Sequence, residues 1–138
     1  MFLIDTNVVS ELRKSRNANS GVIAFFERAE RENAPLFVSV ITIGELRRGV
    51  ALVDHRGDRQ QARRLDVWLE NIIRVYADNI LDFTAVEAQV WGVLRVPGHE
   101  NAIDKQIAAT ALVCDLVLVT RNVDDFKGLG VDVLNPFV

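Results

Sequence analysis

The sequence of residues 1–7, MFLIDTN, is the first indication of the fold. An apolar run that stops abruptly at Asp5, Thr6 and Asn7 is typical of a buried β-strand that ends in a polar turn. Similar apolar runs predict further strands at residues 36–38, 79–83, 116–119 and 131–134. Several strands of this continuous apolar kind indicate a sheet that is covered on both faces.

Helical segments separate the predicted strands. They cover residues 8–14, 20–34, 41–53, 59–76, 84–94 and 104–114. Residues 59–76 carry apolar side chains at the spacing of an amphipathic helix, whereas Pro97 and Gly98 mark a loop. No two-residue hairpin turn joins neighbouring strands. The alternation therefore predicts an α/β fold with a parallel, buried sheet, formed by a single domain over residues 1–138.

Composition narrows the class of protein. The chain has 138 residues, of which 49% are hydrophobic, so it has the material for a sizeable core. Its formal net charge of −3 excludes a histone-like cation that binds nucleic acid through bulk charge. The single cysteine, Cys114, allows neither an internal disulfide nor a zinc knuckle. Without a secretory signal or an apolar run long enough for a membrane helix, we expect a cytoplasmic protein with no membrane contact.

Acidic residues recur where the strands of a parallel sheet end. Asp5 follows the first strand, Glu45 lies on the helix after the second, Asp104 begins the helix before the fourth, and Asp124 and Asp125 follow the fourth. The carboxyl ends of parallel strands meet at one edge of a sheet, so these side chains are expected to lie close together. Glycine-rich phosphate loops are absent, which leaves the carboxylates as the candidate chemistry.

Such a cluster is costly unless a cation offsets it, because buried carboxylates repel one another. Mg²⁺ and Mn²⁺ prefer oxygen ligands, and either can activate water for attack on a phosphodiester. Each acid also has a purely structural alternative. Asp5, Asp104 and either Asp124 or Asp125 could cap the helices beside them, and Glu45 could complete a capping box with Thr42. The residues alone leave both interpretations open.

At these positions the sequence resembles the PIN domain family. The likeness lies in Asp5-Thr6-Asn7 after the opening strand, Glu45 on the third helix, Asp104 ahead of an alanine-rich helix, and Thr120-Arg121-Asn122 followed by Asp125-Phe126. It spans essentially the whole chain and is strongest to the VapC-type toxins of bacterial toxin–antitoxin pairs, including the FitB-like branch. The resemblance implies three layers, with helices on both sides of a central parallel sheet. It also implies a ribonuclease that depends on Mg²⁺ or Mn²⁺.

The same resemblance implies a set of site residues. Asp5, Glu45, Asp104 and Asp125 would be the catalytic acids and metal ligands, with Asp5 and Asp104 bound directly. Because Asp124 adjoins Asp125, the fourth assignment stays open, as does the choice between one metal ion and two. The polar residues that would line or brace the site behind these ligands are Thr6, Asn7, Thr120 and Asn122.

RNA and an antitoxin are the implied partners. Setting the four acids aside leaves the basic residues in slight excess, which suits RNA phosphates held beside the groove. The candidate RNA-binding residues are Arg13, Arg47, Arg48 and Arg121. The resemblance further implies a homodimer, a cognate VapB- or FitA-type antitoxin across the groove, and a larger toxin–antitoxin assembly on DNA. The apolar residues that could serve a protein contact, or simply belong to the core, are Phe25, Phe26, Trp68 and Leu69.

Other classes of protein compete with the nuclease. A two-aspartate phosphatase would need an aspartate where Asn7 stands, and a receiver domain would need paired acids after the first strand. Such a domain would also need a lysine late in the chain, and Lys127 stands in a different context. A PIN fold that acts only as a binding module is the remaining alternative. Loss of a site acid would mark such a module, and all four acids are present.

Overall fold

Five strands form one sheet in the computed structural model, which describes residues 1–138. They are β1 (Phe2–Ile4), β2 (Leu36–Ser39), β3 (Ile80–Leu81), β4 (Val117–Val119) and β5 (Val133–Leu134). The sheet order is β3-β2-β1-β4-β5, and every neighbouring pair is parallel. The predicted α/β fold with a parallel sheet is confirmed, although most strands are shorter than the apolar runs that predicted them.

Six α-helices connect the strands. They are α1 (Thr6–Glu11), α2 (Ser20–Arg31), α3 (Val40–His55), α4 (Arg59–Val75), α5 (Ala85–Leu94) and α6 (Ala102–Val113). Short 3-10 helices lie at Leu12–Asn17, Ala77–Asn79 and Val123–Phe126. None of these helices has the length and the hydrophobicity that crossing a membrane requires.

Successive residues of β1 face opposite sides of the sheet and therefore belong to two cores. Ile4 packs on one side in a fully or nearly buried cluster with residues of α1 to α4, including Val8 and Leu69. Leu3 packs on the other side with Ile107 of α6 and with Phe126. The sheet thus lies between two helical layers, which confirms the predicted three-layer architecture.

The apolar residues considered for protein contacts contribute to the first core. Leu69 is fully buried, and Phe25, Phe26 and Trp68 are partly buried against the same cluster. The ring of Phe25 also contacts Phe2 of β1 edge to face, with centroids 5.2 Å apart. The core interpretation of these four side chains is therefore the one that the structure favours.

Several helix boundaries differ from the predicted ones, among them the start of α1 and the end of α2. Asp5 caps α1, which begins at Thr6 rather than at residue 8. Asn19 caps α2, and its side chain accepts a hydrogen bond from the backbone N–H of Gly21 at 3.0 Å. The helix ends at Arg31 instead of residue 34. The left-handed backbone of Asn33, at φ 52°, follows this end and is incompatible with a continued helix.

The sheet order places β1 between β2 and β4, so the chain reverses its direction of growth at this strand. The carboxyl ends of β1 and β4 adjoin, and the backbone N–H of Asp5 donates to the carbonyl of Val119 at 2.9 Å. In open parallel sheets a crevice forms at such a reversal, beyond the carboxyl ends of the two strands. The residues that follow β1 and β4 therefore line the expected site.

Candidate active site

Asp5 is the buried centre of this site, with 3% of its surface exposed. Its Oδ1 accepts a hydrogen bond from the backbone N–H of Thr6 at 2.7 Å. Its Oδ2 accepts hydrogen bonds from Thr120 Oγ1 at 2.7 Å and from Asn7 Nδ2 at 3.3 Å. Burial raises the pKa of Asp5 above its ordinary value of 3.8, and these three hydrogen bonds oppose that rise.

Thr120 and Asn7 brace this carboxylate. The fully buried Thr120 accepts hydrogen bonds at Oγ1 from Asn7 Nδ2 and from the backbone N–H of Asn122, both at 3.1 Å. Asn7 Oδ1 in turn accepts a hydrogen bond from the backbone N–H of Arg121 at 3.0 Å. The network ties the end of β1 to the end of β4. It gives Thr120 and Asn7 the contacts that a bracing role requires, while their effect on activity stays a prediction.

Asp104 lies half-buried in the first turn of α6. Burial raises its pKa most, followed by the negative charges of Asp5 and Asp125, a hydrogen bond with Asp125 and the charge of Glu45. Together they raise the pKa of Asp104 from 3.8 to about 6. Such repulsion requires proximity, so the fold gathers the four predicted acids from four separate segments. Because Asn101 precedes α6 as its cap residue, the helix-cap alternative for Asp104 is wrong.

A cavity of about 230 Å³, here called the acidic cavity, opens at three of these carboxylates, and Asp125 is not part of its lining. Its lining consists of Asp5, Thr6, Asn7, Glu45, Ile103, Asp104, Ile107 and Asn122. Polar and acidic residues from the end of β1, from α1, α3 and α6, and from the segment after β4 thus line one space. The two isoleucines give this space an apolar wall, which lowers the local dielectric around the charges.

Glu45 lines the acidic cavity from α3, which begins one residue earlier than predicted. The side chain of Ser39 caps α3 by accepting a hydrogen bond from the backbone N–H of Ile41 at 3.0 Å. Thr42 therefore lies inside the helix, and the predicted capping box with Glu45 is wrong. The fully buried Thr42 instead accepts a hydrogen bond from Thr6 Oγ1 at 3.1 Å, which fixes α3 against α1 one turn before Glu45.

The two adjacent acids after β4 have different surroundings. Asp124 is exposed and forms an ion pair with Lys127 at 2.7 Å. Asp125 contributes negative charge that raises the pKa of both Asp5 and Asp104. Both acids lie inside the 3-10 helix Val123–Phe126, and the residue at its N-terminal cap position is Asn122. The acid that faces the cluster is therefore Asp125, and the capping alternative for it is wrong.

The donor set fits a hard divalent cation. The four acids offer carboxylate oxygens as ligands. Their negative charges repel one another at Asp104, and a bound cation would neutralise these charges. No group of three or more His, Cys, Asp or Glu side chains is arranged to hold a metal ion by itself. Mg²⁺ commonly binds through only one or two carboxylates and keeps several water molecules. Asp5, Glu45 and Asp104 all line the acidic cavity, and the assignment of Asp5 and Asp104 as direct ligands stays a prediction.

The four arginines considered for RNA binding lie in different places. Arg13 and Arg121 line a second cavity that adjoins the acidic cavity. Arg47 is engaged by two carboxylates of α4, at 2.6 and 3.0 Å, and Arg48 is exposed on α3. The fold therefore brings Arg13 and Arg121 beside the acids, whereas the charge of Arg47 is used elsewhere.

Sequence reasoning missed three residues of the site. Thr42 is hidden in the local sequence, because its partner Thr6 lies 36 positions away. Ile103 and Ile107 could have been found, since a spacing of four residues puts them on the same helix face beside Asp104. The second cavity also contains Phe137, for which no local pattern pointed to a role.

Comparisons with known proteins agree with this geometry. A family model described as PIN domain matches residues 2–131. The toxin FitB of Neisseria gonorrhoeae is 35% identical to the chain, and the alignment covers 99% of each protein. The VapC ribonuclease Y4jK of Sinorhizobium fredii is 29% identical, with 99% of this chain and 98% of that protein covered.

Solved structures show the same architecture. The structure of FitAB bound to an IR36 DNA fragment has a TM-score of 0.79 and 30% identity, over 99% of this chain and 95% of that one. A toxin–antitoxin complex from Klebsiella pneumoniae has a TM-score of 0.67 and 26% identity, over 99% and 98% of the respective chains. Both likenesses extend through the segments that carry the four acids.

Proposed function

Since this chain belongs to the PIN domain family, we propose that it is a metal-dependent endoribonuclease and the toxin of a toxin–antitoxin pair. The observation that carries the proposal is the convergence of Asp5, Glu45, Asp104 and Asp125 at the carboxyl edge of the sheet. Relatives named as a toxin and as a VapC ribonuclease support the same activity.

The proposed chemistry is hydrolysis of an RNA phosphodiester by water. Asp5 and Asp104 would hold Mg²⁺ or Mn²⁺ through carboxylate oxygens. When bound, the cation supplies charge neutralisation at the phosphoryl group and activation of a water nucleophile. Glu45 and Asp125 orient the attacking water, and one of their carboxylate oxygens accepts its proton.

The polar residues around Asp5 hold its carboxylate ready for this role. Thr120 Oγ1 and Asn7 Nδ2 both donate hydrogen bonds to Oδ2, while the backbone N–H of Thr6 donates to Oδ1. Outer partners of this kind commonly change metal affinity or activity by about 10–100-fold when they are removed. Thr6 and Asn122 complete the polar lining of the acidic cavity.

RNA cleavage by the purified chain without a partner tests the proposal. Total bacterial RNA is incubated with the protein in Mg²⁺ or Mn²⁺, and the product ends are mapped. We expect discrete cuts that disappear in chelator and in Asp104→Ala. Asp82→Ala, which removes an exposed carboxylate that belongs to no ion pair, is the matched control and should cleave like the wild type.

Two outcomes would contradict the proposal. Cleavage that survives Asp104→Ala would remove the acids from the mechanism. A folded protein that binds RNA and Mn²⁺ without cutting would favour the alternative of a non-catalytic binding module. In bacteria, production of the chain alone should arrest growth, and Asp5→Ala should relieve the arrest.

The proposed protein partners are an antitoxin of the VapB or FitA type and a second copy of this chain. The Klebsiella neighbour is a toxin–antitoxin complex, and the FitAB neighbour is bound to DNA, which supports an inhibited assembly on DNA. The apolar helix α5 leaves Val86 and Val93 58% and 73% exposed, which supports pairing through this helix. Light scattering should give twice the 15.5 kDa chain mass. The proposed location is the cytoplasm, where RNA is available.

A further inference from the structure

A second cavity of about 220 Å³, here called the basic cavity, adjoins the acidic cavity. The two share the side chain of Asn7, so a ligand in one lies a single residue away from a ligand in the other. The cationic residues that line the basic cavity are Arg13, Lys14 and Arg121. This arrangement places an electropositive pocket directly beside the proposed catalytic acids.

Two of these three cations have no acidic partner. Lys14 Nζ contacts Glu11 Oε1 at 2.8 Å, so these two charges offset each other. Neither Arg13 nor Arg121 takes part in an ion pair. Arg47, by contrast, is held by two carboxylates. The basic cavity therefore carries two uncompensated guanidinium charges, which attract an anion.

Arg121 is held in place before any ligand arrives. Its backbone N–H donates to Asn7 Oδ1 at 3.0 Å, and its guanidinium lies over the ring of Phe137, 4.9 Å from the centroid. Stacking on an aromatic face leaves the edge of the guanidinium free, and that edge carries the donors that match phosphate geometry. A positioned arginine loses less conformational entropy when it binds a phosphate.

Phe137 is itself anchored. Asn19, the cap of α2, accepts a hydrogen bond at Oδ1 from the backbone N–H of Val138 at 3.1 Å and donates from Nδ2 to the carbonyl of Val138 at 3.0 Å. Asn135 Oδ1 accepts a hydrogen bond from the backbone N–H of Phe137 at 3.0 Å. The ring is also partly buried against the first core. Residues 135–138 thus form a fixed support for Arg121.

We infer that the basic cavity binds the phosphodiester next to the one that is cut, in a single strand of RNA. This inference rests on the proposed nuclease function, because it is the acidic cavity that defines the scissile position. Arg121 and Arg13 contact the non-bridging oxygens of the neighbouring phosphate. Phe137 is a positioning residue that acts through Arg121.

Salt-dependent RNA binding tests the inference without any cleavage. A fluorescein-labelled oligouridylate is titrated with the full chain in chelator, and anisotropy gives the binding constant over a range of salt concentrations. Each phosphate contact on a single strand contributes about 0.7 to the slope of log K against log salt. We expect Arg121→Gln and Arg13→Gln each to reduce the slope by about 0.7 and to weaken binding by about tenfold at low salt.

The controls separate charge from position. Arg47→Gln removes an arginine whose charge is already paired, and it should leave the slope unchanged. Arg121→Lys keeps the charge, so it should retain the slope. Phe137→Leu keeps an apolar side chain and the cation but removes the stacking surface, so it should weaken binding several-fold with the slope retained. Thermal unfolding of each variant establishes that it is folded.

The inference is overturned if Arg121→Gln and Arg13→Gln, both folded, bind RNA with the slope and affinity of Arg47→Gln. It is also overturned if the two variants bind RNA normally but lose affinity for an acidic peptide, because the basic cavity would then serve a protein partner. Cleavage is measured separately in Mn²⁺. If the wild-type chain cleaves RNA but the salt slopes of Arg121→Gln and Arg13→Gln are unchanged, only the phosphate site in the basic cavity is rejected. If the wild-type chain does not cleave RNA, the proposed nuclease function is rejected.

Discussion

Replacing Asp104 by asparagine should stabilise the metal-free protein at neutral pH and leave its stability unchanged in acid. Burial, followed by the charges of Asp5, Asp125 and Glu45, raises the pKa of Asp104 from 3.8 to about 6 in the folded chain. The folded state therefore retains a proton that the unfolded chain has already released. Stability is highest below the unfolded pKa and is lost as the pH rises through the folded pKa.

The size of the effect follows from the same shift. A rise from 3.8 to about 6 corresponds to about 3 kcal/mol at full strength. Because Asp104 is only half-buried, solvent screening reduces this to about 1–2 kcal/mol. Asparagine has nearly the same shape, cannot ionise and can still donate a hydrogen bond to Asp125. We therefore expect Asp104→Asn to raise the midpoint of thermal unfolding by about 4–8 °C at pH 7.5.

Thermal unfolding followed by circular dichroism in chelator, at pH 4, 6 and 7.5, measures this difference. The gain should be near zero at pH 4 and complete at pH 7.5. Asp82→Asn, at an exposed position, should show no such trend. The raised pKa of Asp104 would not explain the result if Asp104→Asn and the wild type were equally stable at pH 7.5. It would also fail if the gain in the unfolding midpoint were the same at all three pH values. Added Mn²⁺ should narrow the gap, because it stabilises only the protein that binds it.

Three further substitutions test other parts of the fold. Thr120→Val should lower the free energy of unfolding by about 1–3 kcal/mol, because the buried carboxylate of Asp5 loses its shortest side-chain donor. It should also weaken Mn²⁺ binding about 10–100-fold in calorimetric titration, and Thr120→Ser should retain both properties. Arg47→Ala should change the free energy of unfolding by less than about 1 kcal/mol and leave RNA cleavage intact, because the two carboxylates that it contacts are exposed. Thr84→Ala should destabilise the protein by about 1 kcal/mol in urea unfolding, because Thr84 and Glu87 form the capping box of α5.

Each of these substitutions has a result that counts against its premise. Full Mn²⁺ affinity in Thr120→Val would mean that the hydroxyl does not brace Asp5. A large loss of RNA affinity in Arg47→Ala would return this arginine to the RNA-binding surface. Unchanged urea unfolding in Thr84→Ala would show that α5 is stabilised by its packing on α6 alone.

The order of strands and helices could be predicted because its signals are local. Apolar runs mark the strands, and the polar residues that end them, such as Asp5 and Thr120, fall at one edge of a parallel sheet by geometry alone. The acids were expected to converge because the carboxyl ends of parallel strands lie at the same edge of the sheet. Helix starts were less accurate, because Asp5 and Ser39 cap α1 and α3 ahead of the predicted starts.

Contacts between distant segments could not be predicted from local sequence. Thr42 and Glu45 match the sequence pattern of a capping box but do not form one. Only the fold shows that the hydroxyl of Thr42 contacts Thr6. The stacking of Arg121 on Phe137 likewise depends on how residues 135–138 return to α2. Such contacts depend on how the chain folds back on itself, and no short sequence pattern predicts that path.

The position of β1 between β2 and β4 has a consequence for biosynthesis. The ribosome makes β1 and Asp5 before Thr120, which donates to the Asp5 carboxylate from 115 positions further along the chain, and before Asp125, whose charge acts on the same carboxylate. A nascent chain that has not reached β4 leaves one side of its central strand without a neighbour. Prematurely terminated products therefore lack the assembled carboxylate site, and under the proposed function we expect only chains translated past Asp125 to cleave the RNA of the cell that makes them.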